Sequence, residues 1–194
     1  MERLIYNDLL NWKWREDRKP LILLGARQVG KTYILRQFGE REFDNLVYIN
    51  CHKNDFANSL FRDLEVRRIV TEIERYYDVK VTPGKTLLVF DEVQDARGGI
   101  ASLKYFCEDM RELHVAAAGS LLGISLRNDE SYPVGKVNTL NIFPMSFSEF
   151  LLAKGRKGLY DVVSELAWDS MKAMNEDLTE LLRQYYFTGG MPEA

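Results

Sequence analysis

The chain has 194 residues, of which 46% are hydrophobic, 12% aromatic and 28% charged, a composition that supplies one substantial core and excludes disordered and fibrous classes. Twenty-six Lys and Arg against 29 Asp and Glu leave a formal net charge of -3, which argues against a domain whose main task is to coat nucleic acid. No apolar run approaches the ~20 residues of a membrane-spanning helix, the first residues lack a signal-peptide core, and Cys51 and Cys107 fit neither a disulfide framework nor a zinc cluster, so a cytoplasmic setting is expected.

Leu4, Ile5, Leu9, Leu10 and Trp12 recur at helical spacing and predict a helix over 3–14. The charged stretch 15–20 reads as a solvated connector. A short apolar run, 21–24, then predicts a buried strand. Further strands are expected at 46–49, 86–90, 115–118 and 137–142. Helices are expected at 31–38, over 55–77 in one or two pieces, at 100–113, and over 147–187 with breaks near Gly155 and Gly158. Pro83-Gly84 and Gly189-Gly190 mark turns. Strands alternating with helices imply a three-layer α/β fold with a mostly parallel sheet. The expected division is a core over 1–150 and a helical segment over 151–194.

The strongest local signal is Gly25-Ala26-Arg27-Gln28-Val29-Gly30-Lys31-Thr32, which fits G-x-x-x-x-G-K-[ST] at every fixed position. It follows a predicted strand and precedes a predicted helix. Glycines permit backbone angles closed to other residues, so successive N–H groups can turn toward phosphate oxygens, and the helix adds the positive end of its dipole. Lys31 would sit between the β and γ phosphates, and Thr32 would bind magnesium. The expected nucleotide-contacting set is Gly25, Arg27, Gln28, Val29, Gly30, Lys31, Thr32 and Tyr33. The plainer alternative is an ordinary strand–turn–helix connection.

Such a loop needs a carboxylate on a neighbouring strand. Leu87-Leu88-Val89-Phe90-Asp91-Glu92 supplies one, with Asp91 emerging at the C-terminal end, where open α/β sheets bind ligands. Asp91 is expected to hold magnesium through water, and Glu92 to act as the general base. The Asp-Glu pair favours ATP hydrolases with an additional strand, and no guanine-reading Asn-Lys-x-Asp is present. Ser120, after the strand 115–118, is placed to reach the γ-phosphate; its plainer role is a helix cap. Arg127, Arg156 and Arg183 are the candidates for an arginine finger, and each reads more simply as a surface residue.

Taken in order, Gly-Ala-Arg-Gln-Val-Gly-Lys-Thr (25–32), Val-Phe-Asp-Glu-Val-Gln (89–94), Ala-Gly-Ser (118–120), Phe-Pro-Met-Ser-Phe-Ser-Glu-Phe (143–150) and Tyr-Phe-Thr-Gly-Gly-Met-Pro-Glu (186–193) give the chain a family likeness. It resembles prokaryotic AAA-type ATPases that carry a C-terminal domain of unknown function. The resemblance implies an ATP-binding core with Lys31, Thr32, Asp91, Glu92 and Ser120 on matching positions. Two departures stand out. Gly135-Lys136 replaces the family's Gly-Arg, and a Lys lacks the planar guanidinium fork. The family also continues past the Gly-Gly-x-Pro-Glu segment, so the chain reads as an ATPase module alone.

Other residues receive plainer readings. Cys51-His52 and His114 lack metal-ligand spacing. Tyr185-Tyr186-Phe187 is expected in the core in preference to base stacking. Trp12 and Trp14 beside Arg15 and Lys19 offer a nucleic-acid contact, and the region from Arg3 to Tyr6 an adenine contact. The expected function is Mg2+-dependent binding and hydrolysis of ATP, coupled to a conformational change in an attached domain or partner, in a chain able to form homo-oligomers. The rival is a module in which nucleotide binding alone switches affinity for a protein or DNA partner.

Overall fold

A computed structural model of the chain describes residues 3–120 and 132–191. Helix α1 (Ile5–Trp14) leads into β1 (Leu21–Leu24), α2 (Lys31–Glu42) and β2 (Asn45–Asn50). Then come α3 (Asp55–Leu60), α4 (Val66–Tyr77), β3 (Thr86–Asp91), a 3-10 turn (Val93–Asp95) and α5 (Gly99–Asp109). Strands β4 (His114–Gly119) and β5 (Asn138–Asn141) complete a parallel sheet of order β2-β3-β4-β1-β5. The helices α6 (Phe147–Ala153), α7 (Lys157–Ser164), α8 (Trp168–Ala173) and α9 (Asn175–Thr188) follow. The fold is α/β, and β4 lies between β1 and β3, the additional-strand arrangement expected from the Asp-Glu pair.

The three layers follow from strand alternation. Successive side chains point to opposite faces, and these strands are apolar on both. Leu21, Leu23, Leu87, Val89, Ala116 and Ala118 pack with Leu9 and Trp12 of α1 and Ile34 and Phe38 of α2. On the other face Ile22, Ile49, Leu88, Phe90 and Ala117 pack with Leu60, Ile69, Ile73, Leu103 and Phe106 of α3–α5. Leu151, Leu159 and Leu178 form a separate small cluster among α6–α9. No helix among the described residues is long and apolar enough to cross a membrane.

Several boundaries differ from the sequence reading. Helix α2 runs past residue 38 to Glu42, and Gly39 lets it lie close to β2: a Cβ there would come within 2.6 Å of the Leu46 side chain. The helix expected to reach 113 stops at Asp109, where Met110 leaves helical angles (φ -143°), and beyond it Arg18 donates to the carbonyls of Arg111 (3.0 Å), Glu112 (3.1 Å) and Leu113 (3.3 Å). The connector 15–20 is therefore only partly solvated. Arg18 also bonds His114 Nε2 at 2.8 Å, and the Lys19 amide donates to Asn138 Oδ1. In the last helices one break falls at Gly155 (φ 71°) as expected, Gly158 is helical, and two further breaks fall at 165–167 and at Met174.

The aromatic run near the end is not core. Tyr186 is 73% and Phe187 94% exposed, whereas Tyr185 packs against Phe147 and Phe150 and donates its hydroxyl to Met145 O at 2.7 Å. On α9 only one residue of three consecutive ones can face the small cluster beneath it.

Candidate phosphate-binding site

Strand β1 ends at Leu24 and α2 begins at Lys31, so the glycine-rich loop joins them at the C-terminal edge of the sheet. Gly25 leaves the strand where a Cβ would come within 2.4 Å of Ile142 O, so only glycine passes beside β5. Gly30 caps α2 in the left-handed region (φ 91°). Gln28 also has a positive φ (65°), a conformation unfavourable by ~1–2 kcal/mol for a residue with a Cβ and not foreseen from sequence. The side chains of Arg27, Gln28 and Thr32 are exposed, and Tyr33 accepts from Gln37 Nε2. The Val29 side chain is fully buried in the core, so the contact expected of Val29 falls to its backbone.

Lys31 is buried, and its ammonium folds back to donate to Gly25 O (3.0 Å) and Ala26 O (2.7 Å). Burial lowers its pKa, while the charges of Glu92 and Asp91 oppose that shift. A buried cation held by two neutral carbonyls within reach of two carboxylates is a ready partner for an anionic ligand.

Asp91 ends β3, which pairs with β4, itself beside β1. Its Oδ2 accepts from Thr32 Oγ1 and from Tyr48 OH, each at 2.6 Å. Its Oδ1 accepts from the Glu92 amide at 3.0 Å. The Arg36 guanidinium lies 3.8 Å from the Tyr48 ring centre. Burial, then the bond to Asp91, pushes the Tyr48 phenol up to about 12, so it stays a donor. Tyr48 was not singled out from sequence. Its signal is a hydroxyl-bearing aromatic on β2, two residues before Asn50, the register partner of Asp91.

Glu92 adopts left-handed angles (φ 49°, ψ 44°) and accepts from Gln94 Nε2 at 2.6 Å. Ser120 follows β4 directly, and the register of Gly119 with Leu24 puts it at the same sheet edge. Thus Lys31, Thr32, Asp91, Glu92 and Ser120 gather at one edge of the sheet, as the sequence order implied.

The two described finger candidates do not gather there. Arg156 pairs with Asp177 of α9 at 3.1 Å, and Arg183 is exposed on α9. Arg127 lies outside the described residues, as do Pro192 and Glu193 of the last motif. Lys136 precedes β5 at the opposite edge of the sheet and pairs with Glu108 at 2.8 Å. His52 bonds Asp95 at 2.6 Å, and the Cys51 thiol is pushed up to about 12, chiefly by burial. No cluster of three or more His, Cys, Asp or Glu able to hold a metal occurs among the described residues. The Thr32 hydroxyl and Asp91 carboxylate, converging at 2.6 Å, are nonetheless the hard oxygen donors that suit Mg2+, which keeps much of its water shell.

A parallel α/β sheet with a glycine-rich loop running into a helix and an acidic residue at the end of the strand two places away defines the class of phosphate-binding-loop proteins. Within it the chain belongs to the AAA domain family, which it matches over residues 17–151, and is an AAA-type P-loop module. Among solved structures it is similar to the ORC1 protein of Aeropyrum pernix in complex with DNA, at 16% identity and a TM-score of 0.47, over 79% of this chain and 47% of that one. It is also similar to AMPPCP-bound DnaA from Aquifex aeolicus, at 18% identity and a TM-score of 0.49, over 79% of this chain and 48% of that one. The chain thus spans about half the length of these two. Comparison with curated proteins returns no match.

Proposed function

We propose that the chain binds ATP with Mg2+ and hydrolyses it by direct attack of water on the γ-phosphorus. The observation that carries this reading is the meeting of Thr32 Oγ1 and Asp91 Oδ2 at 2.6 Å on the edge that also holds buried Lys31. Lys31 exchanges its two carbonyl partners for β- and γ-phosphate oxygens, and the amides of the loop hold the phosphate chain. Arg27, Gln28 and Tyr33 flank it. Thr32 and Asp91 would hold Mg2+, Asp91 through water, and the ion would neutralise phosphate charge. Glu92 takes a proton from the attacking water as the new P–O bond forms and the bond to the β-phosphate oxygen breaks, leaving ADP and phosphate. Ser120 contacts the γ-phosphate.

The nucleoside has a neighbouring place. A cleft of about 400 Å³ between α1, α2 and α7 is lined by Arg3, Leu4, Tyr6, Gln37, Arg41 and Tyr160, and extends the adenine contact expected around Arg3 to Tyr6. Arg3 also ties the loop to α6, because it bonds both Val29 O and Glu149. We read the core as 1–150 and the segment 151–194 as a lid or linker whose position follows the nucleotide state and is passed to an attached domain or partner.

A second reading has its own support. Arg156 and Lys136 are both engaged in ion pairs away from the loop, so neither supplies transition-state charge within one chain. The charge then comes from another arginine, of this chain or of a neighbouring subunit, or binding alone is the switch. The test is ATP turnover with Mg2+ over a protein-concentration series, alongside binding of a fluorescent ATP analogue to Lys31→Ala. Hydrolysis within the site predicts lost binding in Lys31→Ala and measurable turnover in the parent. Specific activity that rises with concentration points to a shared site, and binding without turnover favours the switch.

A further inference from the structure

We infer that Gln94 is a positioning residue for Glu92, the amide that fixes the carboxylate used as base. This rests on the proposed role of Glu92. The pair sits on one tight turn: the Asp95 amide bonds Glu92 O at 2.8 Å, and Val93 is fully buried between the two residues. Glu92 itself is left-handed, a backbone setting that side chains with a Cβ seldom adopt and that clusters at functional sites. The carboxylate is partly exposed, whereas Gln94 is only 6% exposed.

The two ends of the Gln94 amide behave differently. Nε2 donates to Glu92 Oε2 at 2.6 Å. Oε1 is buried and accepts no hydrogen bond from the described residues. Burying an amide with half of its bonding capacity unused is unfavourable beside an apolar side chain of the same length. Packing therefore does not account for glutamine here, but its grip on Glu92 does. A neutral donor suits this task, because it orients the carboxylate without the charge by which a Lys or Arg would suppress its basicity. Lys31 of α2 and Cys51 just beyond β2 each feel the charge of Glu92, together with that of Asp91 on its own segment.

The test uses the whole chain, with Mg2+, ATP turnover and binding of a fluorescent ATP analogue. Gln94→Met removes the donor and keeps the length. Expected is an analogue affinity within about 2-fold of the parent and a kcat lowered about 10- to 100-fold, the scale of a misplaced catalytic group. Unchanged or raised kcat in Gln94→Met overturns the inference; so does a parallel loss of binding, kcat and thermal stability. Glu92→Gln separates the two levels. If it abolishes turnover while Gln94→Met is silent, only the positioning role fails. If it leaves turnover intact, or the parent chain has none, the role of Glu92 fails as well.

Discussion

Arg3 and Glu149, 146 positions apart, form a buried ion pair of 2.9 Å that joins the first helix, the phosphate-binding loop and the helical segment. Arg3 also donates to Val29 O at 2.9 Å and Phe143 O at 2.7 Å. Glu149 accepts from the amides of Leu4 and Ser146 and completes the capping box of α6. Each of the three guanidinium nitrogens of Arg3 thus donates a hydrogen bond, the condition under which a buried pair is tolerated.

Removing one partner leaves the other charged and buried. Arg3→Met is expected to destabilise the fold by about 3–5 kcal/mol, and pairing it with Glu149→Leu to recover part of that loss. Urea unfolding of the single and double variants measures both. Burial raises the Glu149 pKa, but the two amides and Arg3 outweigh it, leaving it below the usual carboxylate value. The stabilisation is therefore present above the unfolded carboxylate pKa and lost as pH falls through the folded one.

His114 gives a second pH dependence, at higher pH. Burial first, and then the Arg18 charge, lower its pKa to about 4. An unfolded His binds a proton below about 6.5, whereas the folded one does so only near 4. Stability should fall as pH drops across that window, by on the order of 3 kcal/mol. His114→Gln should flatten this slope in denaturant titrations from pH 7 to pH 4, and an equal slope in both chains would refute the assignment.

Tyr48 anchors Asp91 beside Thr32. Tyr48→Phe removes one of these donors and keeps the ring against Arg36. The Mg2+ concentration for half-maximal turnover should rise about 10-fold, the scale of outer-shell substitutions around metal ligands, with stability lowered by only about 1 kcal/mol. A Mg2+ titration at saturating ATP measures the first and a thermal melt the second.

At Gly25 the obstacle is backbone, since an added Cβ would come within 2.4 Å of Ile142 O. Gly25→Ala must push β5 away from the loop. It should abolish binding of a fluorescent ATP analogue and lower the melting temperature, whereas Ala26→Gly, on the exposed part of the loop, should preserve binding.

The loop 25–32 and the strand end at Asp91 were legible because each is a contiguous run whose chemistry depends on near neighbours. The strands were legible for the same reason, as short apolar runs between turn signals. Tyr48 and the roles of Gln94 and of the Arg3–Glu149 pair were not, because each acquires its role from a partner that the folded backbone brings close. Arg18 was hidden among solvated charges, although it donates to the carbonyls of Arg111 and Glu112 between α5 and β4. Tyr186 and Phe187 misled in the opposite direction, since composition marks a residue as apolar without saying which side of a helix it occupies.

The most direct measurement is steady-state ATP turnover of the parent chain and Glu92→Gln in Mg2+, with fluorescent-analogue binding followed on the same samples. Expected is tight binding in both and turnover in the parent alone, reduced at least about 100-fold by the substitution. Equal turnover in the two chains would contradict hydrolysis at this site.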